Sequence, residues 1–112
     1  MILISNKKLV KYITFGFARA ITFFPFVLVD NAILKNDKQL INHEKIHLRQ
    51  QLEMAVLPFY LWYLVEFLIR YIKYKSRYQA YLTISFEKEA FSNEAKPDYL
   101  KKRKFWAFIR YI

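Results

Sequence analysis

The chain lacks several residue types on which common functional sites depend. Its 112 residues include no cysteine, one glycine and three prolines. Without cysteine there can be no disulfide scaffold, thiolate zinc finger, iron–sulfur site or thiol nucleophile. A single glycine excludes a glycine-rich phosphate-binding loop. Acidic residues are also scarce, with 9 Asp and Glu against 19 Lys and Arg, so the formal net charge is +10.

Large apolar side chains are abundant instead. Hydrophobic residues make up 55% of the sequence and aromatic residues 20%, which excludes a disordered tail and predicts one small domain, 1–112, with its own core. The positive charge attracts nucleic acid, anionic lipid or acidic protein without choosing between them. No RNA-binding aromatic signature or zinc-finger spacing accompanies the basic residues, so nucleic acid is not a favoured partner.

The order of residue types predicts an α+β domain, in which a small N-terminal antiparallel strand layer packs on about four helices. Residues 9–18 and 20–30 are rich in β-branched and aromatic residues, which favours strands. Pro25 requires the second strand to be bent or to lie at an edge. Asp37 is a predicted helix cap, and Pro58 should end one helix or start the next. Apolar periodicity predicts helices at about 37–57, 59–75, 77–95 and 98–110.

One stretch raises the question of a membrane. Residues 54–65 carry no charge, but Glu66 ends this run and Arg70 follows one helical turn later, where the two side chains could pair. A spanning helix needs about 20 apolar residues, so residues 54–74 fit a buried or interfacial helix better than a clean span. The N-terminal stretch has no clear cleavage site of a secretory signal. We therefore expect a cytoplasmic or membrane-associated protein.

The two histidines of the chain lie in its most informative motif. The sequence His-Glu-Lys-Ile-His runs from His43 to His47, with Glu44 after the first histidine. Four-residue spacing on a helix puts both imidazoles on one face, where they can bind one metal ion. In an H-E-x-x-H helix the glutamate acts as general base towards a water on the metal. The motif therefore predicts Zn²⁺ as the cofactor, bound by the histidines, and Glu44 as the catalytic residue.

A catalytic zinc also needs a third protein ligand. With no further histidine or cysteine in the chain, this ligand must be a carboxylate. Glu53 is too close on the same helix, and Glu66 is assigned to an ion pair. The remaining candidates lie on the predicted third helix, which a hairpin could return against the histidine helix: Glu87, Glu89 and Glu94.

These residues resemble the gluzincin metallopeptidases, in which H-E-x-x-H and a glutamate from a later helix bind zinc. In size the chain is similar to the minigluzincins, minimal scaffolds that resemble the catalytic cores of the prenyl-protein-processing and β-lactam-sensor membrane peptidases. The resemblance covers residues 41–51 well and 86–94 less closely. It implies a zincin-like fold. It also implies Glu87 as the zinc ligand, because Glu87 and Ala90 match the family's E-x-x-A-D signature.

One departure from the family's pattern concerns the group that orients a zinc-bound histidine. The family's aspartate is replaced here by Phe91. Loss of such an orienting partner can cost about 10–100-fold in metal affinity. Glu89 or Glu94 could therefore serve as the ligand or as the orienting group, with Glu89 the second choice as ligand after Glu87.

The implied function is a zinc-dependent metallopeptidase-like domain that hydrolyses a peptide or protein substrate, with the attacking water activated by Glu44. An edge strand within 20–30 could hold an extended substrate. Candidate stabilisers of the oxyanion are Arg77, Tyr78, Tyr81 and Tyr99. One alternative is a catalytically silent metal-binding domain. Another is a basic domain that binds an anionic membrane surface through four aromatic residues: Trp62, Tyr63, Tyr71 and Tyr74.

Overall fold

The computed structural model describes residues 1–16 and 18–112 and confirms the α+β class. A small sheet lies at the N-terminus, and helices form most of the remainder. The strands are β1 (Ile2–Ser5), β2 (Ala20–Phe23) and β3 (Phe26–Val29). The α-helices are α1 (Lys7–Thr14), α2 (Lys38–Glu53), α3 (Leu57–Tyr74), α4 (Arg77–Thr83), α5 (Ser85–Asn93) and α6 (Tyr99–Lys102). Two 3₁₀ helices span Ala32–Asn36 and Ala107–Tyr111.

The sheet is mixed, so the prediction of a purely antiparallel layer is wrong. β3 lies between the other two strands, parallel to β1 and antiparallel to β2. The predicted strand over 20–30 is two strands, because the chain reverses at Phe24 and Pro25 and pairs Phe23 with Phe26. Proline has no N–H to donate to a ladder, which suits a turn. Because β3 lies between the other two strands, β2 is an edge strand.

The prediction of a strand over 9–18 is also wrong, because Lys7–Thr14 form a helix. Phe17, near the end of that predicted strand, lies outside the described residues. The side-chain oxygen of Asn6 starts α1 by accepting a hydrogen bond from the Leu9 N–H at 3.1 Å. Val10 is buried, whereas the three lysines of α1 are exposed. Amphipathic helical periodicity therefore outweighs the strand propensity of this segment.

The next two helices lie close to their predicted bounds. Asp37 caps α2, as predicted, by accepting a hydrogen bond from the Leu40 N–H at 3.1 Å. Pro58 lies in the first turn of α3, where no N–H is needed. Between the helices Ala55 and Val56 adopt positive φ, and the two helix axes are bent by 112°. Among the described residues no single helix is long and apolar enough to cross a bilayer, and α2 with α3 meets that test only as this bent pair.

The predicted helix over 77–95 is interrupted, and the reason is the buried carboxylate of Glu66. It accepts hydrogen bonds from the backbone N–H of Ser85 at 2.9 Å and from the Ser85 hydroxyl, and so caps α5. It also accepts the indole N–H of Trp62 at 2.7 Å. The predicted ion pair with Arg70 is wrong, since Arg70 Nε is buried without a hydrogen-bond partner among the described residues.

The predicted helix over 98–110 is divided as well. α6 ends before Arg103, whose extended backbone directs the guanidinium to two buried carboxylates. Further along, Ala107–Tyr111 form a 3₁₀ helix that packs against α5. The helix therefore ends where Arg103 turns inwards to bind these carboxylates.

α2 is the central element of the fold because it contacts both β2 and α5. Leu40 and Leu48 of α2 pack on the apolar cluster beneath the sheet, and Met54 at its end belongs to a second cluster among the helices. The second cluster also contains Phe59, Ile84, Phe86 and Phe108. The polar residues of α2 between these clusters are therefore held on a helix that is fixed from both sides.

Candidate metal centre

The structure brings three residues predicted as ligands to one point. His43 and His47 project from one face of α2, and Glu87 lies in the first turn of α5. Glu87 Oε1 lies 3.1 Å from His43 Nε2 and 3.0 Å from His47 Nε2, and the two Nε2 atoms are 3.1 Å apart. Tetrahedral zinc with bonds of about 2.0–2.1 Å requires ligand atoms about 3.3 Å apart. The triangle of ligand atoms is therefore close to the size of one face of a zinc site.

The triangle attracts positive charge. Burial alone would lower the pKa of His47, but the charge and hydrogen bond of Glu87, with a smaller effect of Glu44, raise it to about 9. Burial would conversely raise the pKa of Glu87, but the two histidines hold it well below its usual value. Three acceptor atoms that converge in a buried position need a proton or a metal ion between them. The donor set of two imidazoles and a carboxylate fits zinc.

Gln50 fixes the ring of His47. Its Oε1 lies 2.8 Å from His47 Nδ1. Its amide nitrogen donates to the Phe86 carbonyl at 3.1 Å and to Glu89 Oε1 at 3.0 Å, so Oε1 is the acceptor for the histidine. When the ring is neutral its proton therefore lies on Nδ1, which leaves the lone pair of Nε2 free to bind a metal ion.

Glu89 and Glu94 lie outside the triangle, behind the histidines. The carboxylate of Glu89 is fully buried and accepts hydrogen bonds from Gln50, Tyr99 and Arg103. Glu94 Oε2 lies 3.5 Å from His43 Nδ1, an ion-pair distance that is too long for a good hydrogen bond. Glu89 can therefore orient His47 through Gln50, and Glu94 can orient His43. Neither lies where it could bind the same ion as Glu87.

Phe91, which stands where the gluzincin pattern has an aspartate, contacts His43 through its ring. The ring of Phe91 packs edge-on against the ring of His43, with their centroids 4.5 Å apart. Phe91 thus restricts the histidine by contact and offers no hydrogen bond. Glu94, one helical turn further along the chain, is the carboxylate that faces His43 Nδ1.

Arg103 anchors the buried carboxylate behind the centre. Its Nε and Nη2 donate to the two oxygens of Glu89 at 2.5 Å and 3.1 Å, and its Nη1 donates to Glu53 Oε2 at 2.8 Å. Burial would lower the pKa of Arg103, but hydrogen bonds to Glu89 and Glu53 raise it above its usual value. The guanidinium therefore stays charged and holds Glu89, which holds Gln50. Sequence reasoning missed Arg103 because it lies within a basic run, 101–104, that is typical of a solvated surface.

Glu44, the predicted base, lies beside the ligands in the same cavity. It is only 4% exposed, and its Oε2 accepts a hydrogen bond from the Thr22 hydroxyl at 2.5 Å. The cavity has a volume of about 420 Å³ and is bounded by α2, β2 and α3 and by the end of α1. Much of its wall is apolar, including Ile13, Phe15, Ile21, Phe59, Leu64 and Phe67.

Two tyrosines line this cavity near Glu87. The Tyr63 hydroxyl donates to Glu87 Oε2 at 2.8 Å, and Tyr81 contributes to the wall. Burial first, and then the charge of Glu87, raise the pKa of both tyrosines, so both keep their protons at neutral pH. Sequence reasoning missed Tyr63 as a hydrogen-bond partner of Glu87. Its spacing from the buried residues Phe59 and Glu66 on α3 was the available signal.

The other predicted oxyanion stabilisers are not part of the cavity wall. Tyr99 donates to Glu89 at 2.7 Å, behind the ligand triangle. Tyr78 is exposed, and neither it nor Arg77 lines the cavity. Tyr81 is the member of the predicted group that lines the cavity.

Comparisons with known proteins give no further guide to function. No family model, curated protein or solved structure matches the chain. The resemblance to gluzincins therefore depends on the residues in 41–51 and 86–94 that are quoted above. The convergence of His43, His47 and Glu87 is therefore the main observation that bears on function.

Proposed function

We propose that this protein is a zinc-dependent metallopeptidase-like hydrolase. His43, His47 and Glu87 would hold the zinc ion. The observation that carries the proposal is that these buried side chains converge within about one zinc coordination sphere and share a cavity with Glu44. An inert zinc site has no need of a carboxylate base beside an open cavity.

The chemistry follows from the groups that line the cavity. Bound zinc would polarise a substrate carbonyl and lower the pKa of a water molecule towards neutrality. Glu44 accepts the proton of the attacking water and passes it to the leaving amine. Thr22 holds the carboxylate of Glu44 through its hydroxyl. Tyr81, which lines the cavity and is kept protonated by burial, would stabilise the developing oxyanion.

The substrate proposed for this cavity is a peptide with apolar side chains. The apolar wall would accept such side chains, and β2 is an edge strand beside Glu44. The Thr22 carbonyl already accepts hydrogen bonds from Gln51 at 2.8 Å and Tyr60 at 2.5 Å. A substrate strand could therefore pair with only a short part of β2, near Ala20.

Zinc content of the purified protein is the first test. We expect about one zinc per chain, bound with an affinity that falls at least tenfold in His47→Ala and Glu87→Gln. Lys45→Ala is the matched control, because Lys45 is exposed on α2 between the two histidines. No zinc uptake by the wild type would overturn the proposal.

Hydrolysis of fluorogenic peptides with apolar residues is the second test. Glu44→Gln should keep the zinc of the wild type and lose at least a hundredfold in rate, because a general base alone contributes about 10²–10⁴-fold. Stoichiometric zinc without hydrolysis of any peptide would contradict the enzyme and favour the catalytically silent metal-binding domain.

A further inference from the structure

α3 carries an apolar face that no described part of the protein covers. Its side chains at three- and four-residue spacing are between 52% and 75% exposed: Leu57, Leu61, Leu64, Leu68, Ile69 and Ile72. We call these six residues the α3 face. The helix has 18 residues and is therefore about 27 Å long, so the face is a continuous stripe. Exposed apolar surface of this extent marks an interaction site.

The end of α1 extends this apolar surface. Tyr12 is 82% exposed and Phe15 is 80% exposed. Phe15 and Leu64 both line the cavity that contains Glu44, so the end of α1 and the α3 face flank the same opening. A partner seated on this surface would therefore cover or adjoin the mouth of the cavity.

The exposed charges of α1 and α3 are of one sign. Lys7, Lys8 and Lys11 on α1 and Lys73 at the end of α3 are all exposed. No acidic residue precedes Asp30 in the sequence. The single acidic residue of α3 is Glu66, which is buried against Ser85 and Trp62. The two helices that flank the cavity opening therefore carry exposed basic residues and no exposed carboxylate.

We propose that the α3 face and the end of α1 dock on an anionic lipid bilayer, with α3 lying along the interface. A helix with an apolar face and flanking lysines binds in this way, and each basic residue near an anionic surface strengthens binding about fivefold. A second copy of the chain fits less well, because a two-fold contact would bring the same lysines together. This docking needs neither zinc nor catalysis.

Of the four aromatic residues predicted to contact a membrane, two are exposed in the structure. Trp62 and Tyr63 point inwards, since their polar atoms donate to Glu66 and Glu87 at 2.7 Å and 2.8 Å. Tyr71 and Tyr74 are each 41% exposed and are suited to the headgroup region. The aromatic residues suited to the interface are thus found at the end of α3, whereas the apolar α3 face extends along its whole length.

A single-cysteine reporter tests the proposal, because the chain has no cysteine of its own. Leu68→Cys places an environment-sensitive fluorophore on the α3 face. Ile33→Cys is the matched control, an apolar position that is 74% exposed and lies outside α1 and α3. Vesicles of phosphatidylcholine, with and without about 30% phosphatidylglycerol, supply the anionic and neutral surfaces.

We expect the probe at position 68 to shift to shorter wavelength and to be quenched by nitroxide-labelled acyl chains, while the probe at position 33 is not. Binding should weaken at least tenfold without phosphatidylglycerol or on raising salt from about 0.1 M to about 0.5 M. Leu61→Gln combined with Ile72→Gln should weaken it at least tenfold in an otherwise unlabelled protein whose circular dichroism is unchanged.

Three results would overturn the proposal. These are absence of binding to anionic vesicles, equal quenching at both positions, and a lipid-free dimer that the Leu61→Gln and Ile72→Gln pair dissociates. The last result would assign the surface to a second copy. His47→Ala should dock as the wild type does, so a failure of the zinc proposal leaves this measurement intact.

Discussion

Zinc binding should weaken steeply as the pH falls from about 9 to about 7, because His47 carries a proton in the metal-free protein. The carboxylate of Glu87 raises the pKa of this histidine to about 9 although burial opposes it. Zinc needs the neutral ring, and the ion must therefore displace the proton. At pH 7 only about one molecule in a hundred has the neutral ring, which weakens the apparent affinity about 100-fold, or about 2.7 kcal/mol.

Calorimetric titration with zinc in two buffers of different ionisation enthalpy measures this effect directly. We expect about one proton to be released per zinc at pH 7 and about half a proton at pH 9, with affinity rising about 50-fold in total between them. A histidine of ordinary pKa, about 6.5, would release only about a quarter of a proton at pH 7. Lys45→Ala should reproduce the wild-type slope.

The reasoning would be refuted by zinc affinity that is unchanged between pH 7 and pH 9, with no proton release at pH 7. Such a result would mean that Glu87 does not stabilise the imidazolium of His47. The ligand triangle would then differ from the geometry described above.

Three further predictions concern the same network. In the chelator-treated protein, the raised pKa of His47 stabilises the folded state fully below about pH 6.5, and this stabilisation is lost as the pH rises through about 9. The free energy of unfolding in urea should therefore fall by about 3 kcal/mol over this range, and His47→Gln should abolish the change. Gln50→Leu removes the acceptor of His47 Nδ1 and should weaken zinc binding about 10–100-fold by calorimetry, and unchanged affinity would exclude an orienting role. Arg103→Leu leaves Glu89 buried without its cation and should cost about 3–5 kcal/mol in chemical unfolding, whereas the exposed control Lys101→Ala should change nothing.

Local patterns in the sequence predict the helix α2 and the common face of its two histidines. The spacing of His43 and His47 is a property of one helix, and Asp37 and Pro58 mark helix ends through their own backbone chemistry. Glu87 meets the histidines because α5 packs on α2. From the sequence, exclusion of other carboxylates leaves Glu87, Glu89 and Glu94, and only the resemblance to a known pattern favours Glu87 among them.

Contacts between distant segments account for what the sequence does not reveal. Glu66 lies one helical turn from Arg70, yet it caps a helix that starts at Ser85, and no local rule favours that partner. Gln50 and Arg103 are 53 positions apart in the sequence and both bind Glu89. The segment of α1 misleads for a different reason, since its β-branched and aromatic residues favour a strand whereas its apolar spacing fits an amphipathic helix.

The separation of the ligands along the chain has a mechanical consequence. His47 and Glu87 are 40 residues apart, and α3 and α4 lie between them. An ion held by both would cross-link this cysteine-free chain as a disulfide does, and closing a loop of that length restricts the unfolded chain by about 4 kcal/mol in the chain-entropy treatment. The closed loop contains α3, so the same ion would restrict the segment that carries the exposed apolar face.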